Sequence, residues 1–357
     1  MFLVPKYLGD YLGYQGEIVY PKNEENAYFH DEYRGVKLTS IHSLSQYNCT
    51  LWSEKEMAWW LIKNAKDIDL LCLFWLNQRN LIFAKIYKLI NPKGKCYIKG
   101  DIGIIDLEYN NKSIKSKIKQ HFLKSIDVLS VETEYNFNLI KKGIFGEHLS
   151  KATVLMSNGF DIELFEKFNI TKKRFTEKKN LLITVGRIGH SEKNNEMMLA
   201  ALDGMEMGTW KFIMVGNIEK DFVKIYDDFI IRNPDKKEKV FLSGAINDKN
   251  KLWEIYNDAK VFLLTSPKEC MAQVFSEALA FGNYIVSTNV AGTDEISKNR
   301  KLGKIIEVAD TIGLRIVLKD IFDSKIDLEN NYNEAIELSD SKFNWRQLVK
   351  FVGNKLK

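Results

Sequence analysis

Two glutamates, Glu269 and Glu277, stand eight positions apart in the stretch PKECMAQVFSEALAFG, residues 267–282. Paired carboxylates can divide the roles of acid and base, or they can accept hydrogen bonds from ligand hydroxyls. The spacing itself carries no information, because the 26 glutamates of the chain include three further pairs with the same separation. Context separates this pair from the others, since only this one follows an apolar, strand-like run and enters a helix-like one.

Glu269 has two interpretations that the sequence leaves open. The run Ser266-Pro267-Lys268-Glu269 has the form of a capping box with proline at the first helical position, which gives Glu269 a structural role. The strand-like run VFLLT ends just before it, however, and open α/β sheets bind ligands at the carboxyl ends of their strands. Helix N-terminal amides at that edge would favour an anion.

Two cations, Arg187 and Lys193, occupy a similar position in ITVGRIGHSEKNNEMM, between a strand-like run and a helix-like one. Arginine offers a rigid fork of donors and lysine a compact point charge, so together they could hold one phosphate-bearing group. The alternative is a pair of surface cations on a polar loop.

Short apolar, β-branched runs alternate with longer amphipathic runs along most of the chain, which is typical of parallel sheets wrapped by helices. A first series predicts the strands EIVYP, VKLTSI, DLLCLFW, CYIKGD, DVLSVE and ATVLMS. A second series predicts the strands NLLITVG, WKFIMVG, KVFLSG, AKVFLLTS and NYIVSTN. Helices are predicted between them, among them SEKEMAWWLIKNAK, QRNLIFAKIYKLI and VFSEALAFG.

The domain organisation follows from length and from one irregular segment. A chain of 357 residues exceeds what one core normally organises, and SNGFDIELFEKFNITKKRFTEKKN separates the two series. We therefore predict two doubly wound, Rossmann-like α/β domains, 1–157 and 158–340, with a ligand cleft between them. A final helix in 341–357 is expected to cross back to the first domain. The N-terminus leaves little room for a first strand, which is either missing or reduced to the short run FLV.

Composition narrows the class of protein. The net charge of +5 is too small to indicate nucleic-acid binding, and the four cysteines are scattered without metal-ligand spacing or a disulfide pattern. No apolar run is long enough to span a membrane, and the N-terminus lacks the layout of a signal peptide. We expect a cytoplasmic protein. The aromatics Trp52, Trp59, Trp60 and Trp75 are predicted to pack in the core and between the domains rather than to stack on sugars.

Four stretches resemble, in order and spacing, the retaining glycosyltransferases of family 4, also called glycosyl transferases group 1, which have the GT-B fold. They are SNGFD, VGRIGHSEKN, FLSGAIND with LWEIYNDAKVFLLTSPKE, and the Glu-x7-Glu stretch with ALAFGNYIVSTNVAGTDEI. The resemblance covers residues 154–296, whereas the first half of the chain matches only in general layout.

The resemblance implies roles that agree with the residue chemistry. Arg187 and Lys193 would hold the donor's diphosphate and stabilise charge on the leaving group. Glu277 would accept hydrogen bonds from ribose hydroxyls, and Glu269 would contact the transferred sugar. The implied catalytic residues are Arg187, Lys193, Glu269 and Asp101. The implied donor-binding residues are Gly186, Ser243, Gly244, Ala245, Ile246, Cys270, Met271, Ala272, Gln273, Val274 and Glu277, with residues 243–246 against the nucleotide base.

Two positions depart from the family. A glycine and an aromatic commonly follow the first glutamate, whereas Cys270 and Met271 stand here and would narrow the sugar pocket. Asp101 occupies the place after a central strand of the first domain where the family commonly has a histidine. A structural aspartate closing a Gly-Asp-Ile-Gly turn explains it equally well.

The expected activity is transfer of a hexose from a nucleoside diphosphate sugar, with a UDP-sugar favoured, and with retention of configuration, no metal and no cofactor. The acceptor is expected to be a saccharide, lipid-linked or glycoprotein molecule in cell-surface glycan biosynthesis. The lysine-rich helix predicted over 111–124 is either a solvated face, a contact with the inner face of an anionic membrane, or a surface that faces a phosphate-bearing acceptor. The alternatives are a nucleotide-sugar epimerase of GT-B fold and a non-catalytic GT-B partner subunit.

Overall fold

The computed structural model describes residues 3–22, 32–42, 50–101 and 120–357. The chain divides into two compact units. The first contains residues 1–157 together with 345–357, and the second contains residues 158–344.

The first unit is built on two sheets. Its strands are β1 (Glu17–Lys22), β2 (Glu32–Tyr33), β3 (Val36–His42), β4 (Leu70–Phe74), β5 (Lys95–Gly100), β6 (Val128–Val131) and β7 (Thr153–Leu155). Its helices are α1 (Leu3–Leu12), α2 (Thr50–Asn64), α3 (Gln78–Ile90), α4 (Glu134–Lys141), α5 (Glu147–Ala152) and the terminal helix Trp345–Leu356. The strands β4, β5, β6 and β7 lie in that order and are all parallel.

All six strand runs predicted in the first half form strands, but they do not share one sheet. β1 pairs with β3 in parallel and β3 pairs with β2 in antiparallel, forming a separate three-stranded sheet. The interpretation of FLV as a short strand is wrong, because residues from Leu3 onward are helical. Val4, Tyr7 and Leu8 recur at helical spacing and are buried, so burial of one apolar face favours α1.

The core of this unit lies on one face of the β4–β7 sheet. Cys96 and Ile98 alternate along β5 toward an apolar cluster that also takes in Leu129 and Val131 of β6. The helices α2 and α3 cover this cluster with one face each, through residues such as Leu61 and Leu81 respectively; further members include Ala65, Ala84 and Tyr87.

The second unit is a single parallel sheet with helices on both faces. Its strands are β8 (Lys179–Val185), β9 (Lys211–Val215), β10 (Val240–Gly244), β11 (Ala259–Leu264), β12 (Tyr284–Thr288) and β13 (Gly303–Ile306). Its helices are α6 (Ile162–Lys167), α7 (Asn195–Leu202), α8 (Lys220–Arg232), α9 (Lys249–Asp258), α10 (Gln273–Ala280), α11 (Thr293–Ile296), α12 (Thr311–Phe322) and α13 (Tyr332–Lys342).

The strand order in this sheet is β10-β9-β8-β11-β12-β13. The chain therefore runs outward from β8 in one direction and then returns to start again at β11, which lies on the other side of β8. In doubly wound sheets the loops after such a pair of strands diverge and open a crevice at their carboxyl ends, where ligands bind. The side chains of β8 are buried on both faces of the sheet, since Leu182 packs in one apolar cluster while Leu181 and Ile183 pack in the other.

Two expectations concern membranes and sugar contacts. None of the helices in the described ranges is long and apolar enough to cross a membrane. The predicted basic helix 111–124 lies outside the described residues up to 119, and residues 120–123 are helical. Of the tryptophans expected in the core or between domains, Trp60 packs against the apolar cluster of the first unit, whereas Trp59 and Trp75 are 60% and 43% exposed and lie outside that core.

Candidate functional site

The centre of the candidate site is an ion pair between the loops that follow β8 and β11. Lys193 Nζ donates to Glu269 Oε1 at 2.5 Å, and Ser266 Oγ donates to the same oxygen at 2.7 Å. Ser266 is fully buried, and the pair itself is mostly shielded from solvent. The strand order places this contact at the topological switch point of the sheet. Two residues predicted to face one ligand are thus brought together.

The loop that carries Lys193 is fixed by its own backbone contacts. The Thr265 hydroxyl donates to the carbonyls of Lys193 at 3.0 Å and Asn194 at 2.8 Å, and it is completely buried. Asn194 adopts a left-handed conformation before α7, and Asn195 Oδ1 accepts from the Gly189 amide at 2.8 Å. The lysine therefore projects from a backbone held on both sides, which limits the entropy lost when a ligand binds.

Glycines keep the strand ends close together at this edge. A Cβ atom on Gly216 would lie 1.6 Å from the carbonyl oxygen of Gly186, and Gly216 has a φ of +146°. The Gly186 amide donates to Val215 at 2.9 Å and the Gly216 amide to Gly244 at 3.0 Å. Predicted donor-binding Gly186 and Gly244 thus belong to one row of exposed backbone at the carboxyl ends of β8, β9 and β10.

Arg187 lies in the same loop but does not reach Glu269. Its Nη2 donates to Glu192 Oε2 at 2.5 Å, and half of its side chain is exposed. Glu192 also lies 3.7 Å from His190 Nδ1. The guanidinium is therefore held by a carboxylate within its own loop, and it is free to exchange this partner for a ligand anion at the surface.

Glu277 is buried and also paired with a lysine. It lies in α10 and is 3% exposed, and its Oε1 accepts from Lys249 Nζ of α9. Lys249 stands over the Trp253 ring, with 5.5 Å from Nζ to the centroid. Burial raises the pKa of Tyr256 well above its ordinary value, and the adjacent Glu277 carboxylate raises it further. Glu277 is thus a buried hydrogen-bond acceptor whose carboxylate is paired with the Lys249 ammonium.

The stretch from Ser243 to Ile246 contains the last two residues of β10 and the first two of the loop after it, at the same edge. Ser243 Oγ donates to the carbonyls of Met214 at 3.3 Å and Gly244 at 2.9 Å. Ser243 and Ala245 are exposed, whereas Ile246 packs partly against the apolar cluster that contains Trp253. Exposed small residues beside an anchored isoleucine leave room for a flat ligand.

The capping-box interpretation of Ser266 and Glu269 is wrong. α10 begins at Gln273, with Ala272 before it, so the segment 267–272 is a loop. Ser266 Oγ contacts the Glu269 carboxylate, and the backbone carbonyl of Ser266 accepts from Thr288 Oγ1 at 2.6 Å. Ser266 is therefore engaged in these tertiary hydrogen bonds and does not cap a helix.

The segment with the unusual cysteine and methionine is tightly packed. The Met271 carbonyl accepts from Asn158 Nδ2 at 2.7 Å, and Met271 is 3% exposed. A Cβ atom on Gly292, which has a φ of +86°, would lie 2.4 Å from Met271 Sδ. Cys270 and Ala272 are half-buried, Gln273 is exposed, and Val274 is half-buried. Met271 therefore supports the loop from below, whereas Cys270 stands nearer its surface.

Asp101 belongs to the first unit, where it directly follows β5 and is exposed. The ends of β5 and β6 beneath it carry a buried ion pair between Lys99 and Glu132. Ser157 Oγ donates to the Glu132 carbonyl at 2.7 Å, and Tyr97 shares a hydrogen bond of 2.8 Å with Ser130. This face of the sheet is polar, in contrast to the apolar face that α2 and α3 cover.

Among the residues that the structure describes, no cluster of three or more histidine, cysteine or acidic side chains could hold a metal ion. Asp67, which ends a short 3-10 helix before β4, therefore belongs to no such cluster.

Sequence reasoning missed the groups that complete these pairs. Lys249, Tyr256 and Thr265 lie in segments whose local pattern is that of an ordinary helix or strand. Glu277 is 28 positions from Lys249, and Lys193 is 72 positions from Thr265. No local signal links residues that far apart; the strand order does.

Comparison with known proteins agrees with this geometry. Residues 165–337 match the family of glycosyl transferases group 1. The capsular polysaccharide biosynthesis glycosyltransferase CapM of Staphylococcus aureus is 26% identical over 197 residues, which are 52% of this chain and 49% of CapM. The chain thus spans about half the length of this curated relative.

Solved structures resemble nearly the whole chain. Sucrose-phosphate synthase from Thermosynechococcus elongatus has a TM-score of 0.73 at 14% identity, covering 98% of this chain and 90% of that one. Anabaena Alr3699/HepE, in complex with UDP and glucose, has a TM-score of 0.70 at 14% identity, covering 99% and 95%. The chain has the GT-B fold.

Proposed function

We propose that this protein is a retaining glycosyltransferase of family 4 that moves a hexose from a UDP-sugar to a saccharide, lipid-linked or glycoprotein acceptor. The observation that carries the proposal is the Lys193–Glu269 pair at the switch point of the second unit. It combines a cation suited to a diphosphate with a carboxylate suited to sugar hydroxyls on two adjoining loops.

Each donor group would find a partner of matching chemistry. Lys193 and Arg187 would bind the diphosphate and offset the charge that develops on it. Glu269 would accept hydrogen bonds from the sugar and Glu277 from the ribose. The residues 243–246 would line the base, the amides after Glu269 would meet sugar or phosphate oxygens, and Gly186 would let the phosphates approach the backbone. A relative solved with UDP and glucose supports the choice of nucleotide.

The reaction that suits this site is front-face substitution. The acceptor oxygen forms its bond to the anomeric carbon on the side from which the diphosphate departs, while the carbon–oxygen bond to the diphosphate breaks. The acceptor's proton passes to an oxygen of the leaving phosphate, so no separate protein base is needed. We propose that Lys193 and Arg187 replace a metal as the counter-charge, and that Asp101 contributes to acceptor or sugar contacts.

The similarity to CapM, a capsular polysaccharide biosynthesis glycosyltransferase, supports a role in cell-surface polysaccharide biosynthesis. We propose that the protein acts in the cytoplasm, at the inner face of the membrane. The test is incubation with UDP-glucose, UDP-galactose, UDP-N-acetylglucosamine and GDP-mannose in turn, with chelator present, while nucleotide release and donor binding are measured. Release of UDP from one donor and an unchanged anomeric configuration in the product are expected. Failure of all four donors to bind would overturn the donor-site assignment, and a strict metal requirement would overturn the metal-free mechanism.

A further inference from the structure

The outer face of α2 in the first unit carries aromatic, aliphatic and basic side chains together. The exposed positions are Lys55, Trp59, Ile62, Lys63 and the following Lys66, which recur at the spacing of one helix face. Trp59 is 60% exposed and Ile62 is 42% exposed. The opposite face is buried in the apolar cluster, so the exposed tryptophan is not needed for packing.

The neighbouring helix α3 repeats this composition. Ile82 is 48% exposed and Leu89 is 69% exposed, whereas Leu81, Ala84 and Tyr87 on the other face are buried. Both helices cover the same apolar cluster, and Arg79 of α3 lies 3.7 Å from Glu54 of α2. We call the outward residues of the two helices, with the turns after them, the α2–α3 face.

The charge of the α2–α3 face is positive. Residues 54–95 contain eight basic and four acidic side chains. One of the acids, Glu54, is engaged by Arg79, and Asp67 and Asp69 lie beyond the end of α2. The fourth acid, Glu56, lies one turn before Trp59 and is half-buried, so the exposed charges that share the face of Trp59 and Ile62 are those of Lys55, Lys63 and Lys66.

The combination of exposed lysines with tryptophan and aliphatic side chains favours a lipid surface over a protein as the partner of this face. Protein interfaces are depleted in lysine at their centre, whereas lysine and tryptophan are characteristic of surfaces that lie in lipid headgroups. Lys63 Nζ lies 5.0 Å from the centre of the Trp59 ring, so the charge and the ring occupy one spot on the surface. Long lysine stems can keep their charge at the phosphate level while the indole and aliphatic groups enter the boundary.

We propose that the α2–α3 face docks on an anionic membrane surface, with Trp59, Ile62 and Leu89 inserted among the headgroups and Lys63 and Lys66 paired with lipid phosphates. None of these residues belongs to the predicted basic helix 111–124. The proposal does not depend on the transferase activity, because the binding uses none of the donor-site residues.

The test is flotation of the full-length protein with vesicles of phosphatidylcholine alone and with vesicles containing about one third phosphatidylglycerol, at low and high salt. Binding is expected only to the anionic vesicles, and it should weaken at high salt. The variants Trp59→Ser/Leu89→Ser and Lys63→Glu/Lys66→Glu should each lower the partition coefficient at least about tenfold. UDP-sugar binding in solution should stay at the wild-type value in both.

A matched control is Lys224→Glu/Ile231→Ser, which removes a lysine and a 76% exposed isoleucine from α8 in the second unit. It should float like the wild type. Equal binding to neutral vesicles, no vesicle binding, or equal loss in the control would overturn the proposal. Self-association abolished by Trp59→Ser/Leu89→Ser, without vesicle binding, would identify a second copy as the occupant instead.

Discussion

Lys193 Nζ and Glu269 Oε1 lie 2.5 Å apart although 76 positions separate the two residues. The strand order makes this contact possible, because β8 and β11 are neighbours while the chain between them builds the far half of the sheet. Under the proposed function, a lysine and a carboxylate that pair with each other could each turn to a ligand instead, the lysine to an anionic group and the carboxylate to hydroxyls.

The first prediction concerns Lys193. Lys193→Gln keeps a polar, unbranched side chain and removes the charge, so it should lower kcat/KM about a hundredfold, because the leaving diphosphate loses a counter-charge. The measurement is UDP release under initial-rate conditions. The control is Lys179→Gln, at the amino end of the same strand, which removes the same charge from the opposite edge. Equal losses in both variants would show that Lys193 has no special role.

The second prediction concerns Glu277 and Lys249. Lys249→Met leaves a buried carboxylate without its cation, so the free energy of unfolding should fall by about 1–3 kcal/mol. Adding Glu277→Gln should restore part of this loss, because the uncompensated charge is then gone.

Nucleotide affinity separates the site role of Glu277 from a purely structural one. Calorimetric titration with UDP should show at least about tenfold weaker binding for Glu277→Gln, since the ribose hydroxyls lose a carboxylate acceptor. A stable Glu277→Gln variant with unchanged affinity would assign Glu277 to packing alone.

Strands and their ends were predictable, because short β-branched apolar runs such as those of β8 and β11 are typical of buried strands and of few other structures. The start of α10 was not, since the run Ser266-Pro267-Lys268-Glu269 has a local capping signature. The Glu269 carboxylate is hydrogen-bonded to Lys193 and the Ser266 carbonyl to Thr288, and the helix begins only at Gln273.

The short strand β13 and the exposure of Trp59 were also beyond local reasoning. β13 has only four residues and lies in a charged segment, so its alternation of apolar and polar residues is too short to be detected in the sequence. In MAWWLI, around Trp59, several adjacent residues are apolar, which leaves the buried face of the helix undetermined. The sheet that the helix covers decides the face.

The third prediction concerns the carboxylate that holds Arg187. Glu192→Gln should raise the affinity for UDP by up to about fivefold, because the diphosphate no longer competes with an internal anion for the guanidinium. Titration at low and moderate salt measures the change, which should shrink as salt rises. Glu238→Gln, before β10 at the other edge of the sheet, removes the same charge and should have no effect. A lower affinity in Glu192→Gln would mean that Glu192 positions Arg187 rather than occupying it.

The last prediction concerns Lys178, which is 5% exposed and lies just before β8. Its Nζ donates to the carbonyls of Ala259 at 2.8 Å and Asn257 at 3.0 Å. Burial lowers the pKa of Lys178 from its ordinary 10.5 to about 7, although Asp258 acts in the opposite direction. Between these two pH values the unfolded chain holds a proton that the folded protein does not. Neutral Lys178 therefore makes its full contribution to the free energy of unfolding above pH 10.5. This contribution is lost as the pH falls toward 7.

Urea unfolding of the wild type and of Lys178→Met at pH 7, 8 and 9 should reveal this linkage. The unfolding free energy of the wild type relative to the variant should rise with pH by up to about 1.4 kcal/mol per unit. Lys179→Met changes the exposed neighbouring lysine and should show a difference from the wild type that is independent of pH over this range. Parallel pH profiles for the wild type and Lys178→Met would mean that Lys178 stays protonated in the fold, with its ammonium satisfied by the carbonyls around it.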